Sequence, residues 1–163
     1  MKIINLIIKI FSKTIERIQY WITISIIAFL TTIVFVQVVL RYFFNSPLPW
    51  VQEVSSGLLI WLTFMGAGVL TKRKGHLRVD IVVNKFNYFW KKIIEKCIDF
   101  LIFIFSIILI IYSIEFFKSQ LVMPVGTLQI PKSYHFALPV LIFAVSITVY
   151  QLEELLKTNW IKE

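Results

Sequence analysis

The chain has 163 residues, of which 58% are hydrophobic, and its mean hydropathy is +0.82; a soluble domain of this size would be about 45–50% apolar. The net charge of +8 comes without an aromatic-interleaved basic face or a nucleic-acid-binding fold, which excludes nucleic acid as the explanation. A single cysteine, Cys97, excludes an intrachain disulfide and a Cys-rich metal site, and reads as a small apolar filler.

Charge-free runs cover 18–40, 54–71, 100–114 and 133–152. Crossing the hydrocarbon core as a helix takes roughly 20 apolar residues. The third run reaches that length once it extends past the acids at its ends. The expected fold is an all-α integral membrane protein, one domain with spans over about 18–40, 50–71, 93–117 and 134–156. The first apolar stretch is too long for a cleaved signal peptide. All but three of the 17 Lys and Arg residues fall on one side of this layout; Arg41, Lys118 and Lys132 fall on the other. Basic loops are retained in the cytoplasm, so both termini are expected there, together with the basic stretch 71–80, TKRKGHLRVD. Lys72, Arg73 and Lys74 in that stretch would also attract anionic headgroups, making phospholipids a partner.

In the first span, Gln37 and Arg41 lie four apart on one face, where an amide can hydrogen-bond across helices. The hairpin RYFFNSPLPWVQEV follows. Pro47 and Pro49 keep Ser46 and Leu48 extended, and Pro49 suits the first turn of the next helix. Tyr42 and Trp50 fit the headgroup level. Arg41 and Glu53 flank the hairpin and are expected to pair. In the second span Thr63, Ala67 and Thr71 recur every four residues, with Ser56, Gly66 and Gly68 nearby. Such a small-residue face marks helix–helix contact, either within the chain or with an external partner.

Gly75 is placed to end the second helix. From Val79 to Ile93 apolar residues, Phe86 and Trp90 among them, recur with helical spacing. An amphipathic helix over about 79–92, lying in the membrane interface, is expected; the alternative is that this stretch prolongs the third span. Glu95 and Asp99 open that span beside Lys91, Lys92 and Lys96, and Glu115 stands roughly 24 Å from the first acids. A charge at mid-membrane would mark a functional site, and the sequence has none, so no proton relay or ion-coupling residue is expected. The fourth span opens near Pro139 and ends in the amphipathic QLEELLK. His76 and His135 belong to opposite membrane sides, so they cannot pair as haem ligands. No catalytic, cofactor or metal set emerges, and an enzyme is not expected.

The block from Arg41 to Asp80 resembles the signature region of the small membrane subunit of TRAP (tripartite ATP-independent periplasmic) transporters, the DctQ type. The matching pieces are Arg41-Tyr42, Asn45, Pro49-Trp50 with Glu53, Trp61 to Gly66, Gly75-His76 and Arg78-Val79-Asp80; IPKSYHFALPV and LEELL resemble the family's fourth-helix start and tail. The family often has two adjacent acids after the tryptophan, whereas here Gln52 precedes Glu53. The resemblance implies a multi-pass protein of the bacterial inner membrane that packs against a large transport subunit. That subunit would carry the sodium coupling, a periplasmic binding protein would deliver a carboxylate-bearing solute, and the small subunit would help to dock it. Gln37, Arg41, Trp50, Glu53, Trp61, Thr63, Gly66, Ala67, Arg78 and Asp80 are the candidate partner or structural contacts. Tyr42, Lys72, Arg73, Lys74, Phe86 and Trp90 are the candidate interface anchors. Two rival readings are an autonomous four-helix exporter acting as a dimer, which needs a membrane-embedded carboxylate, and an anchor subunit of a membrane enzyme.

Overall fold

The computed structural model describes residues 2–46, 48–73, 88–126 and 129–156. Four helices, each long and apolar enough to cross a membrane, make up nearly all of it: α1 (Lys2–Phe43), α2 (Pro49–Lys72), α3 (Tyr88–Ser119) and α4 (Leu138–Leu156). Neither α1 nor α3 contains a Gly or Pro, so nothing interrupts their hydrogen-bond ladders.

The helix α1 runs 42 residues, about 63 Å at 1.5 Å per residue, roughly twice the hydrocarbon thickness. It begins well before the charge-free run at 18–40, because its basic N-terminal part packs onto the bundle instead of trailing off. It ends in a left-handed turn at Asn45 (φ 50°), a conformation Asn tolerates. Leu48 is extended (φ −101°, ψ 101°) and Pro49 opens α2, where a missing N–H costs nothing. Arg73 closes α2, its N–H bonded to the Val69 carbonyl at 3.0 Å.

Most of the proposed interfacial helix, including Arg78, Asp80 and Phe86, lies outside the described residues, as do Lys74, Gly75 and His76. Positions 88–92 are continuous with α3. Between α3 and α4 a short antiparallel ribbon pairs β1 (Pro124–Val125) with β2 (Ile130–Pro131). A wide π-type turn over Ser133–Ala137 then leads into α4.

The helix α4 contacts the other three, while α1 packs along α2 and α3 joins mainly through α4. Most large apolar side chains of α1 and α3 face outward, as lipid-facing surfaces require. The bundle has two ends. At the basic end α1 and α3 begin and α2 and α4 finish; at the hairpin end lie Asn45, the ribbon and the π turn.

Candidate functional site

The helix α2 is clamped at both ends, by different chemistry. At the basic end a row of polar residues on α1 (Ser12, Glu16, Gln19, Thr23) faces the bundle with the spacing of one helical face. Lys72 Nζ donates to Ser12 Oγ at 2.8 Å and to the Glu153 carboxylate of α4, which also accepts from the Ser12 hydroxyl. Glu153 is buried and Lys72 nearly so, and Nζ stands 5.4 Å from the Tyr150 ring centroid. A carboxylate and an ammonium removed from water are tolerated only when paired and hydrogen-bonded.

Deeper in the bundle, both ends of the Gln19 amide are engaged. Its Nε2 donates to Ser146 Oγ at 2.9 Å, and its Oε1 accepts from the Tyr150 hydroxyl at 2.8 Å. Gly68 makes room for it: a Cβ there would lie 2.7 Å from Gln19 Oε1. On the outer rim Arg73 Nε pairs with Glu16 at 2.7 Å while its guanidinium lies 4.8 Å from the Tyr20 ring centroid. Both pairs lie just beyond the charge-free segments, the 72–153 pair at Ser12 and the 73–16 pair one turn further along α1 at Glu16. α3 is tied to α4 by Thr148 Oγ1 donating to Ser106 Oγ at 3.0 Å and by Lys96 Nζ on the Glu154 carbonyl at 3.4 Å.

At the hairpin end the clamp is built on backbone. Trp61 Nε1 donates to the Tyr134 carbonyl at 3.1 Å. In the π turn the Leu138 N–H bonds back to Ser133; continuing that register, residue 139 would bond to Tyr134, but it is proline and has no N–H. The orphaned carbonyl takes the indole instead. His135 lies on Gly57, its Nε2 2.8 Å from where a Cβ would stand. Gly126 (φ 28°) covers Glu53, whose carboxylate a Cβ there would overlap.

These contacts revise several sequence expectations. Arg41 is exposed and forms no ion pair with Glu53, which sits under Gly126; the turn at Asn45 leaves the last turn of α1 facing outward. Ion pairs that do form include Lys72–Glu153 and Arg73–Glu16. Lys72 therefore points into the bundle, not toward headgroups, because Glu153 and Ser12 offer it partners. Tyr42 and Trp50 are exposed and Gln37 is half-buried. Trp61 is a strut between α2 and the start of α4. The small residues of α2 divide: Gly68 and Gly66 face Gln19 and Thr23 of α1, Ala67 is half-buried, and Thr63 is exposed beside Ser56, Leu59 and Gln52.

Sequence reasoning missed Ser12, Gln19, Ser146, Tyr150, Glu153 and the Gly57–His135 contact. The signal was present in two polar rows, 12–16–19–23 on α1 and 146–150–153 on α4. Among the described residues no three His, Cys, Asp or Glu side chains come together as a metal group. Among the described residues the site is a set of helix-fixing clamps and an outward polar face on α2.

Comparison with known proteins gives a consistent answer. The family model of tripartite ATP-independent periplasmic transporters, DctQ component, matches residues 30–158. A Haemophilus influenzae protein named for a TRAP transporter small permease is 40% identical over 81 residues, 50% of each chain. The C4-dicarboxylate TRAP transporter small permease protein DctQ of Vibrio cholerae is 33% identical over 55 residues, covering 34% of this chain and 24% of that one. The sialic acid TRAP transporter permease protein SiaT of Haemophilus influenzae is 23% identical over 106 residues, 65% of this chain but 17% of that protein. The matches thus span half or less of the length of these relatives.

Proposed function

The chain belongs to the DctQ component family of tripartite ATP-independent periplasmic transporters, a non-enzymatic small permease family, and on that premise we propose that it is the accessory membrane subunit of a sodium-driven importer of carboxylate-bearing solutes. In this reading it lies in the bacterial inner membrane with both termini in the cytoplasm, as the basic-residue asymmetry favours. It packs against the fixed scaffold of a large transport subunit and helps seat the periplasmic binding protein at the hairpin end. The large subunit carries sodium coupling and solute selection.

The observation that carries this reading is the outward face of α2. Gln52, Ser56, Leu59, Thr63 and Leu70 share one exposed face of a helix whose opposite face, with Val51, Gly57, Met65, Gly68 and Val69, is buried against its own chain. Small and polar side chains facing outward from a membrane helix favour close contact with another helix over contact with lipid. The SiaT relative adds support: 65% of this chain corresponds to 17% of a longer permease, so a similar segment can be covalently continuous with a larger transport protein. An autonomous exporter would need a mid-membrane carboxylate free to bind its cargo. Among the described residues the buried acid, Glu153, lies at a helix end and is paired with Lys72.

Co-expression with a large TRAP permease subunit should give a stable 1:1 complex, with solute uptake in proteoliposomes requiring both chains. Uptake by this chain alone would overturn the reading.

A further inference from the structure

Lys9, Lys13 and Arg17 stand four apart on α1 and are all exposed. They precede residues 30–158, the segment matched by the family model. Like charges at this spacing repel and weaken a helix unless a counter-charge is near. The neighbouring acids are committed elsewhere, Glu16 to Arg73 and Glu153 to Lys72. Among the described residues no carboxylate pairs with the row.

The contacts of Ser12 set the level of this row in the bilayer. Ser12, next to Lys13, bonds both members of the Lys72–Glu153 pair, which lies just past the charge-free runs ending at 71 and 152. Lys13 therefore stands at the hydrocarbon edge, with Lys9 about 6 Å outside it and Arg17 about 6 Å inside. The headgroup layer is about 5–8 Å deep on each side, so the row crosses it. Side chains on a helix lean toward its N-terminus. Because α1 begins at the basic end, all three cations lean outward, and their flexible stems let Arg17 reach the headgroups as well. Leu6, Ile10, Phe11, Ile18 and Trp21, around the row, are each more than half exposed. Cations interleaved with outward apolar and aromatic side chains suit the boundary between acyl chains and headgroups.

We propose that the row Lys9–Lys13–Arg17 is a binding site for anionic phospholipids. The lipid phosphates lie between the cations, and the acyl chains run inward along Trp21 and Ile24, which follow Arg17 by one and two turns and are exposed. Lys72 is turned into the bundle and Arg73 is held by Glu16, so α1 supplies the outward charge at this end. Each cation at an anionic surface strengthens association about fivefold. The site needs no second protein and stands independently of the subunit reading.

The test is native mass spectrometry of the full chain released from mixed micelles with equal amounts of phosphatidylglycerol and phosphatidylcholine. Phosphatidylglycerol should be retained preferentially. Lys9→Gln, Lys13→Gln and Arg17→Gln together should lower that preference several-fold, and each alone should remove part of it. Lys118→Gln at the hairpin end should leave it unchanged. Lys9→Arg with Lys13→Arg keeps the charge and should behave as the parent, which separates loss of charge from loss of fold. Equal retention of the two lipids, or a preference that survives loss of all three charges, would overturn the proposal. So would displacement of the bound lipid by inorganic phosphate, which would mark a site for the free anion. None of these outcomes bears on whether a complex forms with the large subunit.

Discussion

Lys72, the last residue of α2, and Glu153, near the end of α4, form a largely buried ion pair that Ser12 of α1 completes. Three helices that are far apart in sequence meet at that carboxylate. Breaking a buried pair from one side leaves a charge with no compensation, at a cost of about 3–5 kcal/mol. Glu153→Gln and Lys72→Met should each destabilise the bundle by an amount near the lower end of that range. The double change should cost less than the sum of the two, as followed by unfolding in detergent titrated with SDS. Additive losses would mean the two residues are not coupled.

Gln19 bridges α1 to α4 through two hydrogen bonds and rests on Gly68. Interhelical hydrogen bonds in membrane proteins contribute about 0.6–2 kcal/mol each. Gln19→Leu should therefore lower stability by about 1–3 kcal/mol. Gly68→Ala should also destabilise, since its Cβ meets the amide, and Gln19→Ala should relieve that second effect. The same SDS titration, run on all three variants, would detect an absence of relief.

The Trp61–Tyr134 bond uses a carbonyl left vacant by Pro139. Trp61→Phe should cost about 1 kcal/mol, the net worth of a typical hydrogen bond plus part of the desolvation of the carbonyl. Pro139→Ala restores a backbone N–H in the adjacent turn, so in the Trp61→Phe background it should recover part of the loss. A Pro139→Ala change that worsens the double variant would argue against this account.

Arg41 is exposed and does not take Glu53 as its partner. Arg41→Glu should change the stability of the isolated chain by less than about 0.5 kcal/mol, as surface substitutions generally do. Pairing it with Glu53→Arg should give no rescue. Gly126→Ala, in contrast, should be destabilising, because it combines a positive φ with overlap of the Glu53 carboxylate. Thermal melts in detergent would rank the three.

Thr63 and Ser56 face outward and bond only to their own helix, to the Leu59 and Glu53 carbonyls at 2.8 Å. Ser56→Leu with Thr63→Leu should leave the isolated chain as stable as before. The bulk introduced on a close-contact face should nevertheless weaken co-purification of the large subunit. Unchanged recovery of the complex would move the contact to another face.

What the sequence by itself determined is the all-α class and the number of long apolar helices, because hydropathy and charge are set residue by residue and the bilayer penalises every exception. Runs without charge at 18–40, 54–71, 100–114 and 133–152 left no other fold for this composition. The hairpin motif and the basic stretch likewise carried the family resemblance without any coordinates. Only the tertiary structure decided which polar side chains turn inward. Lys72 read as a headgroup anchor and Glu153 as part of an amphipathic tail, since each taken alone is a charge at a helix end. Whether such a charge snorkels or is buried depends on a partner at the same level of another helix, here more than 80 positions away in the chain for Lys72 and Glu153. The Arg41–Glu53 pair failed for the converse reason. The two residues are close in sequence, but the left-handed turn at Asn45 aims them apart, and backbone direction is a property of the folded chain.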